Sequence, residues 1–112
     1  MEFRLIKTQT PTSCYGSIPD VDDQNDIEVH QFDAQDMDLM LDDFRFKVNS
    51  ICGTLLDVGD IDYIPADKCP DLIAWIEEQE DTRTPRIRGH YDILKQFAQQ
   101  AVELQTGVVV EL

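Results

Sequence analysis

Positive charge is what this chain most lacks. Only 9 Lys and Arg stand against 23 Asp and Glu in 112 residues, a formal net charge of −14. Phosphate backbones are repelled by such a chain, so nucleic acid is not an expected partner. Anionic membrane surfaces are disfavoured on the same ground. Long apolar runs are lacking too: nothing approaches the roughly 18 consecutive residues that mark a membrane span. No charged segment followed by an apolar stretch opens the sequence, so the reading is of a chain without a signal peptide, in the cytoplasm. Cysteine is sparse and odd in number. Cys14, Cys52 and Cys69 form no CxxC pair, which fits reduced thiols in a reducing compartment.

Catalytic and cofactor signatures are equally scarce. There is no Gly-rich phosphate loop and no dinucleotide fingerprint. Nucleophilic catalysis needs Ser or Cys beside a His base. Cys14 with His30 or His90 is the one conceivable pair, and no basic residue near Cys14 would lower its pKa. Zinc needs three or four suitably spaced ligands, whereas the two histidines stand sixty residues apart and the cysteines are scattered. The acidic run from Asp20 invites a calcium-loop alignment, with Asp20, Asp22, Gln24 and Asp26 at the first four odd positions. It fails where Asn25 replaces the turn glycine and where Gln31 replaces the bidentate glutamate. The expectation is therefore no metal, no cofactor and no enzyme.

What is there suits one folded domain over residues 1–112. The chain is 42% hydrophobic, with five Phe, three Tyr and one Trp, too apolar for a disordered acidic tail. Residues 2–7 read as a strand ended before Pro11, residues 8–26 as a loop rich in turn residues, and residues 27–32 as an imperfectly alternating strand. Over 34–52, Met37, Met40, Leu41, Phe44, Val48, Ile51 and Cys52 recur on one arc, as in a core-facing helix. Asp33 can cap its start and Gly53 its end. Residues 54–64 leave strand, turn and loop open. Pro65 or Pro70 can open a second helix carrying Cys69, Leu72, Ile73, Trp75 and Ile76. Polar residues 80–89, with Pro85, read as a connection. A third helix over 90–105 has a wide apolar stripe, ended by Gly107, and Val108–Val110 reads as a buried strand. The expected fold is α+β: a small sheet using both chain termini, covered on one face by about three helices.

Three features point to binding. Residues 20–43 hold ten acids and no Lys or Arg. Such a block repels itself, whereas dispersed acids would serve solubility as well. Second, Leu39 and Phe46 fall almost opposite the core stripe of the 34–52 helix, beside Asp42 and Asp43. An apolar anchor ringed by charge is the pattern of an interface hot spot with a polar rim. Third, Arg83, Arg86, Arg88 and His90 make a local basic segment, read either as a partner for the acidic loop or as a separate contact surface.

The segments Tyr63-Ile-Pro-Ala-Asp-Lys-Cys-Pro-Asp-Leu-Ile-Ala-Trp-Ile and Leu94-Lys-Gln-Phe-Ala-Gln-Gln-Ala-Val-Glu-Leu-Gln-Thr-Gly-Val-Val-Val-Glu-Leu112 resemble the small cytoplasmic immunity proteins of bacterial polymorphic and contact-dependent toxin systems. The likeness covers roughly half the chain. It lies in general organisation, an acidic single domain with two helices and a closing helix–Gly–strand. It implies an acidic inhibitor that occludes the basic active site of a nuclease-type toxin, and it carries over no particular residue. The expected partner is a basic protein. Asp20, Asp22, Asp23 and Asp26 would steer it, Leu39 and Phe46 would anchor it, and Asp42 and Asp43 would flank the anchors. Two other readings share the charge argument: a nucleic-acid mimic that blocks a DNA-binding protein, and an adaptor subunit of a larger assembly.

Overall fold

The computed structural model describes residues 2–7, 27–54 and 61–112, without the side chains of Leu41, Asp42, Asp43 and Arg45. Strands β1 (Glu2–Ile6) and β2 (Ile27–Gln31) are followed by helix α1 (Ala34–Cys52), strand β3 (Ile61–Pro65) and helix α2 (Cys69–Glu78). A 3-10 turn over Glu80–Thr82 leads to helix α3 (Pro85–Leu104), and strand β4 (Gly107–Glu111) closes the order. The sheet is antiparallel throughout, in the order β2-β1-β4-β3. The first and last described strands are thus its two central members, and the fold is α+β as expected. No described helix is long and apolar enough to cross a membrane.

Strand parity decides which face the helices cover, because alternate side chains point to opposite sides. Phe3 and Leu5 of β1 stand opposite Val110 and Val108 of β4, and Ile64 of β3 stands opposite Val108. All five are fully buried and share one core with Met40, Phe44 and Val48 of α1, Leu72 and Ile76 of α2, and Tyr91, Leu94 and Ala101 of α3. Burying each large side chain contributes about 1.5–3 kcal/mol. The opposite face carries Arg4, held by ion pairs to Glu2 and Glu111. A shallow depression of about 570 Å³ beside it is lined by Glu2, Arg4, Ile27, Val29 and Gln31.

Helix ends follow local chemistry. Asp33 accepts a hydrogen bond from the Asp36 amide at 2.8 Å, and Gly53 closes α1 in the left-handed region at φ 69°. Pro70, not Pro65, sits in the first turn of α2; Pro65 ends β3, an edge strand of the sheet, where proline is tolerated. One open reading is resolved and two expectations need correction. Residues 61–65 form β3, hidden in sequence because only Ile64 of that edge strand is fully buried. Pro85 does not lie in a connection but starts α3, five residues earlier than apolar spacing suggests, since Pro is favoured at the first helical position. Gly107 does not end α3. That role falls to Gln105 at φ 57°, with the paired bonds Gln105 N–H to Val102 O and Thr106 N–H to Ala101 O of a Schellman motif. Gly107 belongs to β4, and a Cβ there would overlap the ring of Tyr63.

Candidate functional site

Helix α1 has two dissimilar faces. Met37, Met40, Phe44, Val48 and Cys52 are buried on one. At about 100° per residue, Leu39 and Phe46 fall opposite them, seven residues and two turns apart. Leu39 is 55% exposed and Phe46 65% exposed, the two most exposed large apolar side chains among the described residues. Helical periodicity sets Asp42 and Asp43 on either side of the line joining them. The side chains of Asp42 and Asp43 are outside the description. Asp20, Asp22, Asp23 and Asp26, with Cys14 and the rest of the segment 8–26 read as a loop, also lie outside the described residues.

The start of this face is fixed by a series of polar contacts that sequence reasoning missed. His30 of β2 meets His90 of α3, Nε2 to Nδ1 at 2.8 Å. His90 Nε2 meets Asp36 Oδ2 of α1 at 2.8 Å. Arg86 donates from Nε to Asp36 Oδ1 at 2.5 Å and from Nη2 to Gln35 Oε1 at 3.0 Å. Gln35 and Leu39 are four residues apart and therefore neighbours on the helix surface. The hydrogen bond with His90, then that from Arg86, hold the Asp36 carboxyl below its ordinary 3.8, against partial burial that pushes the other way. His30 is lowered from 6.5 by burial first and by the nearby His90 second. The rings of Phe3 and Phe32 pack beside the two imidazoles. Among the described residues, no three His, Cys, Asp or Glu side chains gather so as to hold a metal ion.

A signal for these contacts exists in the sequence, though a weak one. His30 shares strand parity with inward-facing Phe32, and His90 lies four residues before Leu94 on the buried stripe of α3. Two titratable groups at inward positions call for partners, but which partners depends on how β2 and α3 cross.

The basic segment does not form one surface. Arg83 is only 6% exposed. Its guanidinium lies 3.8 Å from the Tyr91 ring centroid and 4.8 Å from that of Trp75. Nη1 donates to the Ile76 carbonyl at 2.7 Å, in the last turn of α2, where the helix dipole favours a cation. Arg88 donates to the Arg83 carbonyl at 2.9 Å, and Arg86 and His90 turn to Asp36. Cys52 and Cys69 are buried free thiols.

This geometry defines a small α+β domain with an antiparallel sheet, helices on one face and an apolar-dotted outer helix surface. Compared with known proteins, the chain matches no family model, no curated protein and no solved structure.

Proposed function

We propose that the chain is an acidic protein-binding inhibitor of the immunity type, acting in the cytoplasm, which occludes the basic active site of a nuclease-type toxin. The observation that carries this reading is the outer face of α1. Leu39 and Phe46 are 55% and 65% exposed on a helix whose other side is taken up by the core, in a chain of net charge −14. Exposed large apolar side chains in an acidic setting suit a partner that offers apolar pockets within a cationic surface. Steering comes from the acids and grip from the two anchors. Occlusion requires no cofactor and no chemical step by the inhibitor.

The test uses the purified chain as bait in extracts of its host, with Leu39→Glu/Phe46→Glu as control. The wild type is expected to retain a basic protein that elutes as salt is raised, and the double variant to lose it. The retained protein is then assayed as a nuclease, with expected inhibition at one-to-one stoichiometry. Leu39→Ala and Phe46→Ala should each weaken binding by about 2 kcal/mol, about 30-fold in Kd. Asp42→Asn/Asp43→Asn should slow association and flatten its salt dependence. Equal retention by wild type and double variant would remove the α1 face from the interface. A retained protein whose nucleic-acid cleavage is untouched would end the inhibitor reading.

A further inference from the structure

The chain has two histidines, and the fold presses them against each other. Asp36, as a carboxylate, only accepts, so His90 Nε2 carries the proton of the 2.8 Å bond between them. The 2.8 Å contact between His90 Nδ1 and His30 Nε2 then has two satisfied states. With the pair neutral, His30 Nε2–H donates to His90 Nδ1. With one proton added, His90 becomes an imidazolium that donates both to Asp36 and to His30. A second proton has no such place. Two N–H groups would face each other with no acceptor between them, and two like charges would lie side by side.

We propose that His30, His90 and Asp36 form a one-proton latch, which ties β2 to α1 and α3 while the pair holds one proton or none and opens when the pair takes up a second. Among the described residues the charged surroundings are few. From α1 comes Asp36, and from α3 comes Arg86, already paired with Asp36. On the same side of β2 stands Glu28, in a 3.8 Å ion pair with Lys7. From β1 the facing group is the uncharged ring of Phe3. Arg86 opposes the second proton, and Asp36 is committed to the first.

The sign follows from the histidine that resists protonation. His30 is held below its ordinary 6.5, so the unfolded chain binds more protons there than the folded one. The latch is fully closed above about 6.5 and is lost as pH falls through the lower folded value of His30. Asp36 stays ionised throughout that window because its carboxyl is held below 3.8.

The experiment is an imidazole nitrogen NMR titration of the intact chain from pH 8 to 4.5, with amide hydrogen exchange of β2 at both ends. Two histidines give a spectrum without overlap from others. Expected are two steps separated by more than about one pH unit, and β2 amides whose exchange, corrected for intrinsic rate, rises at least about tenfold across the second step. His30→Gln keeps a donor for His90 but cannot titrate, and its β2 exchange should be flat. Two independent, ordinary titrations in the wild type would overturn the latch, even if the variant failed to fold. A His30→Gln chain with wild-type pH dependence would overturn it as well.

Discussion

Arg83 is a buried cation held by a helix-terminal carbonyl and two aromatic faces, and the balance of those contacts can be measured. Among the described residues its Nε and Nη2 are buried without hydrogen-bond partners, which costs stability, while stacking and the bond to Ile76 contribute it. Arg83→Ala removes all of these and leaves a void beside Trp75 and Tyr91, at an expected cost of about 3 kcal/mol. Arg83→Met keeps most of the volume and removes the unpaired N–H groups, so about 1 kcal/mol is expected. Urea unfolding checks both, and equal costs for the two variants would refute the stacking account. The thiols give a second test. Burial pushes Cys52 up to about 11 and Cys69 up to about 12, and the thiolate is the reactive form. At pH 8 a disulfide reagent should label both only after denaturation, as read by peptide mass mapping; fast native labelling of either would contradict the burial. Residues of this kind differ in how far sequence reveals them. The Asp33 cap and the Gly53 terminator are legible because capping is local chemistry. Arg83 is not: a charged residue among polar neighbours gives no local sign that Trp75 and Tyr91 will close over it.

Gly107 shows how an element can carry a contact that its own pattern hides. In the helix–Gly–Val-Val-Val context it resembles a helix terminator, yet Gln105 takes that strained position. What glycine supplies is room for the Tyr63 ring, which crosses from the edge strand β3 over β4 on the face away from the helices. An aromatic side chain laid across a strand glycine is a recognised way of completing a sheet. Gly107→Ala should therefore destabilise the chain by about 1–3 kcal/mol through overpacking. In a Tyr63→Ala background the same change should become neutral or stabilise by about 0.5–1 kcal/mol, because alanine is the better strand residue once the ring is gone. Thermal unfolding of the four chains of the double-mutant cycle decides it; additive effects would mean that the ring and the glycine are independent. The same non-local logic explains the elements that sequence shows poorly. α1 has a full buried stripe and local caps at both ends, and its bounds are legible. β3 buries one residue fully and so lacks the alternation that marks a strand. The first turn of α3 is polar apart from Ile87, and without an apolar stripe Pro85 looks like a break.

At the scale of the whole molecule, sequence states the sum of the charges but not where their repulsion falls. A net charge of −14 on a chain with a Cα radius of gyration of 13.1 Å is a self-repelling field that destabilises the compact state. The described surface ion pairs, such as Arg4 with Glu2 and Glu111 and Lys7 with Glu28, are solvent-exposed to varying degrees and contribute little against that field. The outer face of α1 is legible because periodicity alone places Leu39 and Phe46 away from the core; the histidine latch is not, because it needs two elements sixty residues apart to cross. The field gives a prediction that separates folding from binding. Screening falls to a length of about 10 Å at 0.1 M salt, shorter than the molecule. Adding sodium chloride from about 0.01 to 0.3 M should then raise the Tm of the free chain, since repulsion between its acids is what salt removes. Across the same range, association with a basic partner should slow by about tenfold or more, because there the salt removes attraction. Opposite signs in the two measurements are required by one cause. A Tm that falls or stays level as salt is added would mean that the acids are balanced within the fold, and the electrostatic half of the proposed docking would lose its basis.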